Sequence, residues 1–331
     1  MALYPVPWFT TGGVEGEGGA ENYGELARAD SFIGSAGATG IIAPTDFKVV
    51  QTPTPGAAVR VRKGTGVIAS TYPNVFGQSY VVQEQSFTDV PVAATGSSGG
   101  ATKYVYVLIE DTQYTGQAPV SVENGPYNSY QVTTTLPQFK PYLLLAKIEQ
   151  PKSTATITNA MITDLREIAN PRTYPTLRVN ALTSDEAETL TATADAGEWF
   201  PNAGGGQVIK IPELATRAII EAEWLQVNER KGNSYGGIWV EFGPYVTSGV
   251  RQYATSHLRW NSSTAGDNAR NTWKCADEVY IDPSIRGTEQ WFAMKARISY
   301  ASANAARPQM DNHSAALLKV TFLQVPDPST S

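Results

Sequence analysis

Residues 141–172, PYLLLAKIEQPKSTATITNAMITDLREIANPR, decide the fold class. Positions 142–148 form a short, nearly continuous apolar run closed by Pro141 on one side and the polar Glu149-Gln150-Pro151 on the other. A run of that length with turn residues at both ends predicts a strand buried on both faces. The chain then turns at Thr158-Asn159 and closes with Ile162-Thr163-Asp164-Leu165-Arg166 before Asn170-Pro171.

Working outward, residues 104–110 (YVYVLIE) are a second β-branched and aromatic run of the same kind. Val59-Arg60-Val61-Arg62 alternates, Gly64-Thr65-Gly66 interrupts it, and Val67-Ile68-Ala69 resumes. Turn clusters at 53–56, 96–100 and 123–126 separate these runs. Residues 45–170 therefore read as one β-domain. The preceding 1–44 are Gly-rich and punctuated by proline. Leu26, Ala29 and Ile33 have helical spacing, so a short helix is open there, but the scarcity of core residues favours an extended arm.

Pro171 and Pro175 disfavour helix and mark 171–177 as a linker. Beyond it the composition changes, with Trp199, Trp224, Trp239, Trp260, Trp273 and Trp291 all in the second half. Strands are expected at 207–211, 218–227, 237–242, 255–260, 278–281, 290–300 and 315–325, joined by polar loops at 228–237 and 261–272. That number of strands over residues 178–331 predicts a jelly-roll-like β-sandwich, and the chain as a whole is expected to be all-β.

Composition narrows the function. A net charge of −6 without a Lys/Arg cluster argues against nucleic-acid binding. Cys275 is the only cysteine, which excludes an intrachain disulfide and any multi-cysteine zinc site. Residues 1–11 lack the basic start and apolar core of a secretory signal, and no apolar run approaches the roughly 18 residues that span a membrane.

The motifs that suggest chemistry are weak. Gly96-Ser97-Ser98-Gly99-Gly100 matches G-x-S-x-G, but a strand follows it where the nucleophile elbow needs a helix. Gly204-Gly205-Gly206 lacks the Lys-Ser/Thr of a phosphate loop. Asp267-Asn268 and Asp311-Asn312-His313 supply oxygens without calcium-loop spacing, so they read as turns and no metal is expected. Glu221/Glu223 and Asp277/Glu278 are sequence neighbours, whereas glycoside cleavage needs two acids facing each other across a cleft. No enzyme activity and no cofactor are expected.

Strand alternation in the second domain gives a sharper expectation. Ile238, Val240 and Phe242 share one face, as do Ser256, Leu258 and Trp260, and Phe292, Met294, Ala296 and Ile298. With those sets in the core, Trp239, Glu241, His257, Arg259 and Trp291 face outward. Aromatic rings beside charged hydrogen-bonding groups suit sugar recognition, and equally a protein–protein interface. Both readings stay open.

The first half also resembles the amino-terminal domain of minor tail and baseplate proteins of long-tailed phages that infect actinobacteria. The resemblance is carried, in family order, by 49–58 (VVQTPTPGAA) leading into the Val59-Arg60-Val61 strand, by 95–102 (TGSSGGAT) before the strand ending in Ile109-Glu110-Asp111, by 123–127 (ENGPY), and by 141–172. It implies a virion component made in the host cytoplasm, whose first domain docks onto other tail or baseplate proteins. It further implies a homotrimer whose second domain attaches to host cell-wall glycans. A purely structural baseplate component is the alternative, and a wall-degrading tail enzyme a more remote one.

Overall fold

The computed structural model describes residues 24–115, 125–203, 205–245, 251–266 and 269–328. Most of the expected arm, part of the 123–127 turn, Gly204 and the Asp267-Asn268 pair lie outside them. The chain divides into two compact units, residues 1–171 with 325–331, and residues 172–324.

The first unit contains helix α1 (Gly24–Gly34) and strands β1 (Gly40–Ile41), β2 (Val49–Gly56), β3 (Ala58–Ala69), β4 (Ser79–Pro91) and β5 (Ala101–Ile109). A single helical turn, α2 (Thr112–Thr115), precedes β6 (Asn128–Thr133), β7 (Tyr142–Gln150) and β8 (Ile162–Asp164). Strand β4 pairs along one side of β3 while β1 and β2 share the other; the second sheet runs β6-β5-β7-β8, and all these pairings are antiparallel. Val59, Val61, Ile68 and Val82 from one sheet share a core with Val105, Val107, Leu143, Leu145 and Ile148 from the other. The two apolar runs that set the fold class are thus the paired central strands β5 and β7.

Three local expectations change. The glycines at 64 and 66 do not break the strand: β3 is continuous, with a bulge between Arg62 and Gly64. A Cβ on Gly64 would sit 2.3 Å from the Phe47 backbone nitrogen, so the glycine serves close backbone approach rather than a turn. The described end of the arm is helical, but Leu26 and Ile33 point away from the core, being 66% and 75% exposed. Helix α1 is held instead through Ala27 and Arg28. The Arg28 guanidinium bonds Gln78 Oε1 at 2.7 Å and Gln113 Oε1 at 2.8 Å, and lies 3.4 Å from Asp111.

The third change concerns the boundary. Residues 173–177, expected as linker, belong to strand β9 (Thr173–Ala181), which pairs with the last strand of the second unit from Thr173↔Leu323 to Ala181↔Ala315. Proline is tolerated there because β9 is an edge strand, where one side needs no N–H. Residues 325–328, expected in the second domain, rejoin the first: Asp327 N–H donates to Pro44 O at 3.0 Å.

The second unit continues with β10 (Glu188–Thr189), β11 (Glu198–Trp199), β12 (Gly206–Lys210), β13 (Arg217–Glu229), β14 (Gly232–Gly243) and β15 (Tyr253–Ala254). It closes with β16 (Leu258–Thr264), β17 (Ala269–Tyr280), β18 (Glu289–Ala301), β19 (Gln309–Met310) and β20 (Ala315–Leu323). The main strands order as β9-β20-β13-β17 in one sheet and β12-β18-β14-β16 in the other, all antiparallel. Followed along the chain, β9, β12, β13, β14, β16, β17, β18 and β20 alternate between sheets except at the β14–β16 hairpin. This is the double Greek key of a jelly roll. The expected polar loops shrink, because strands β13, β14, β16 and β17 extend into much of 228–237 and 261–272.

The core lies between these sheets. Trp224 and Phe292 are fully buried, Ile238, Val240 and Phe242 come from β14, and Leu318, Val320 and Phe322 from β20. Phe242 and Phe292 are cross-strand partners whose rings stack at 5.0 Å, an arrangement worth about 0.5–1.5 kcal/mol beyond burial.

Candidate functional site

The outer face of the β12-β18-β14-β16 sheet gathers the predicted residues into cross-strand rows. Register places Asn261, Tyr235 and Tyr300 in one row, and Arg259, Gly237 and Arg297 in the next. A third pairs Trp239 with Lys295, and the His257 ring stacks on the Trp239 indole at 4.0 Å and 12°. Further along, Glu241 opposes Ala293, and Gly243 opposes Trp291.

The exposed end of this face is built by two irregularities. Strict alternation from Ile298 would turn Tyr300 into the core. A register shift next to Tyr235/Gly236 leaves Ser299 extra on β18 and brings Tyr300 outward, opposite Tyr235. The two rings stack at 5.3 Å and 21°, and are 42% and 46% exposed. Gly237 leaves the next row without a side chain. Arg259 crosses that gap and donates to Ser299 Oγ at 3.3 Å. An aromatic platform with a guanidinium beside it is thereby open to solvent. Arg297 pairs with Asp195 at the margin of the same row.

At the other end the expectation fails. Trp239 and Glu241 do face away from the core, but they are 0% and 2% exposed. Alternation assigns a face; it does not reveal what covers that face. Here the backbone of Gly197 (φ +59°) presses on the Trp239 ring, and a Cβ at Gly197 would lie 2.4 Å from it. The Glu241 carboxylate accepts the Trp239 Nε1–H at 3.0 Å and the Arg251 backbone N–H at 3.1 Å, with Lys295 Nζ 3.5 Å away. Arg251 itself is 4% exposed, its guanidinium 4.9 Å from the Trp199 ring and 5.9 Å from that of Trp291. Burial holds the Arg251 pKa below its ordinary value, partly opposed by Glu241. Trp291 is half-buried, and Tyr245 meets it edge-on at 5.1 Å. Trp239, Glu241 and Trp291 are therefore the buttress of this face rather than its binding surface.

His257 and Arg259 are exposed as expected. Burial, then the Arg297 cation, hold the His257 imidazole below its usual range, so it is neutral at pH 7. Sequence reading missed Tyr235 and Tyr300. Tyr235 sat in a segment read as loop, and the outward turn of Tyr300 depends on a bulge that no residue pattern marks.

The candidate acids are engaged elsewhere. Glu221 pairs with Lys319, Glu223 with Lys274 and Glu278 with Arg217, while Asp277 accepts the Ser256 amide at 2.6 Å. A pocket of about 200 Å³ includes Glu188 and Asp311 in its lining. Asp311 is bridged to Arg270 at 2.6 Å, and Glu188 accepts the backbone amides of Asn202 and Ala203. Among the described residues no cluster of three His, Cys, Asp or Glu side chains is arranged to hold a metal ion.

No protein-family model matches the chain, and no curated protein does. Among solved structures, the Gx strain of infectious bursal disease virus aligns with 89% of this chain and 72% of its own, at 12% identity and a TM-score of 0.26. The T13 particle of the same virus aligns over 86% and 65%, at 12% identity and a TM-score of 0.29. An exo-beta-1,3-galactanase from Phanerochaete chrysosporium aligns over 82% and 68%, at 8% identity and a TM-score of 0.17. Similarity at these scores assigns neither fold nor role; the jelly-roll topology stands on the strand pairing alone.

Proposed function

We propose that the protein is a structural component of a virus particle, placed in the tail tip or baseplate of a long-tailed actinobacteriophage. The first unit docks to other tail proteins, and the second attaches to host cell-wall glycan through its Tyr235–Tyr300 face. The tail assignment is supported by the ordered sequence resemblance of the first half. The attachment role is supported by one observation above all, the solvent-open stack of Tyr235 on Tyr300 beside Arg259. Pyranose rings stack on such aromatic faces while guanidinium donors fix their oxygens. Jelly rolls serve both viral capsids and lectins, so the fold accommodates this role.

In this reading the chain is not an enzyme. It acts by multivalent binding, as a homotrimer presented in several copies on one particle. A purely structural role is the second reading, favoured by the exposed Leu177 and Val179 on edge strand β9, where another subunit would cover them. The test is attachment of the fluorescent full-length protein to host cells, with free wall glycans as competitors and its mass measured by light scattering. Saturable binding that glycans abolish, by a species of three chain masses, is expected. A folded trimer that ignores cells supports the structural reading; a monomer removes the trimer from either.

A further inference from the structure

The first unit carries a groove of about 500 Å³ on the outer face of its first sheet. Its floor and walls include Val50, Pro53, Arg60, Arg62, Lys63 and Phe87. Alternation along β3 sends Val59 and Val61 inward and Arg60 and Arg62 outward. The bulge between Arg62 and Gly64 then adds Lys63 to the same groove, so consecutive residues supply two cations to one place. The close approach of Gly64 to the Asp46-Phe47 backbone fixes that bulge.

The charges are not equivalent. Arg60 is neutralised by Asp89 through bonds of 2.7 and 2.8 Å, and its guanidinium lies 3.8 Å from the centre of the Phe87 ring. Among the described residues, the side chains of Arg62 and Lys63 have neither ion pair nor hydrogen bond. Gln51 and Asn159 hold each other through their backbone amides and side-chain oxygens. Gln51 N–H donates to Asn159 Oδ1 at 2.8 Å, and Asn159 N–H donates to Gln51 Oε1 at 2.9 Å. What the groove offers is therefore two free cations beside an apolar wall formed by Phe87, which is 47% exposed, and Val50.

We propose that this groove is a docking site for an extended acidic peptide segment of a partner protein. A carboxylate of the segment lies at Arg62 and Lys63, and an adjacent apolar side chain rests on Phe87 and Val50. Charge complementarity selects the acid. A polyanion such as nucleic acid would need a longer basic stripe than Arg62 and Lys63 supply. A neutral saccharide carries no charge for Arg62 and Lys63 to pair with, so it gains nothing from the ionic attraction of the two cations. The inference does not depend on the glycan reading of the second unit.

The test is fluorescence anisotropy of the full-length protein with a labelled peptide of alternating aspartate and leucine, against its asparagine counterpart, duplex DNA and a sulfated polysaccharide. The aspartate peptide is expected to bind, to weaken with salt, and to lose roughly tenfold or more in affinity with Arg62→Glu plus Lys63→Glu. Phe87→Ala is expected to weaken it without changing the salt dependence. Circular dichroism and Tm check that the variants fold, since both cations lie on the surface. Lack of binding by the aspartate peptide, equal binding of the asparagine peptide, or tighter binding of either polyanion overturns the proposal.

Discussion

Trp239 donates its indole N–H to the carboxylate of Glu241, two residues along the same face of β14, at 3.0 Å. That bond lies on the face opposite the jelly-roll core, yet neither residue meets solvent. The outer face of the sheet thus has its own buried layer, in which Glu241 is the only carboxylate within hydrogen-bond or ion-pair reach of Lys295 among the described residues.

Removing one member of that pair leaves the other charge buried. Glu241→Ala is expected to destabilise the fold by about 3–5 kcal/mol, as is Lys295→Met. The combined Glu241→Leu/Lys295→Met variant is expected to lose much less than the sum. Denaturant unfolding of the set measures this; additive losses would show that the two charges do not act together.

Gly197→Ala tests the lid over Trp239. The residue sits at φ +59°, and its new Cβ would meet both the indole at 2.4 Å and Ala296 O at 2.8 Å. A loss of about 1–3 kcal/mol and a shift in tryptophan fluorescence are expected. An unchanged spectrum and Tm would mean that the segment does not press on the ring.

Tyr235→Ala and Tyr300→Ala separate binding from stability. Their rings are half open to water, so each substitution is expected to cost no more than about 1 kcal/mol in unfolding free energy. Cell attachment in the proposed assay is expected to fall at least tenfold. Variants that unfold readily, or that attach normally, would contradict the role given to this face.

Cys275 provides a pH readout. Burial pushes its thiol pKa up to about 12, from an ordinary value of 9.0. Between those values the unfolded chain gives up the proton while the folded one keeps it, so stability falls as pH rises through that window. Alkylation at pH 8 is expected only after unfolding, and Cys275→Ala is expected to flatten the alkaline decline in Tm. Rapid labelling of the native protein would show the thiol to be accessible.

Much of the architecture was legible because β-structure writes its periodicity locally. The runs at 104–110 and 142–148 became the paired strands β5 and β7. Ile238, Val240, Phe242, Trp260, Phe292, Met294, Ala296 and Ile298 entered the core as alternation required, whereas Ser256 and Leu258, expected inward with Trp260, are exposed. Errors arose where a residue type has two uses. Pro171 does close the first unit, but Pro175, also read as linker, lies within edge strand β9, which tolerates proline. Gly64 and Gly66 read as a break, yet Gly64 admits a neighbouring backbone.

The sequence by itself determined the all-β class, the inward sets of the central strands and the side of the sheet on which Trp239, Glu241, His257, Arg259 and Trp291 lie. Those are properties of neighbours along the chain, set by side-chain size and a period of two. Only the tertiary structure decided which outer residues are open. Segments distant in sequence, at Gly197 and Arg251, cover Trp239 and Glu241, while one extra residue at Ser299 turns Tyr300 out beside Tyr235. Exposure depends on what packs above a strand, and register on where its partner bulges. Neither is encoded in the strand's own alternation.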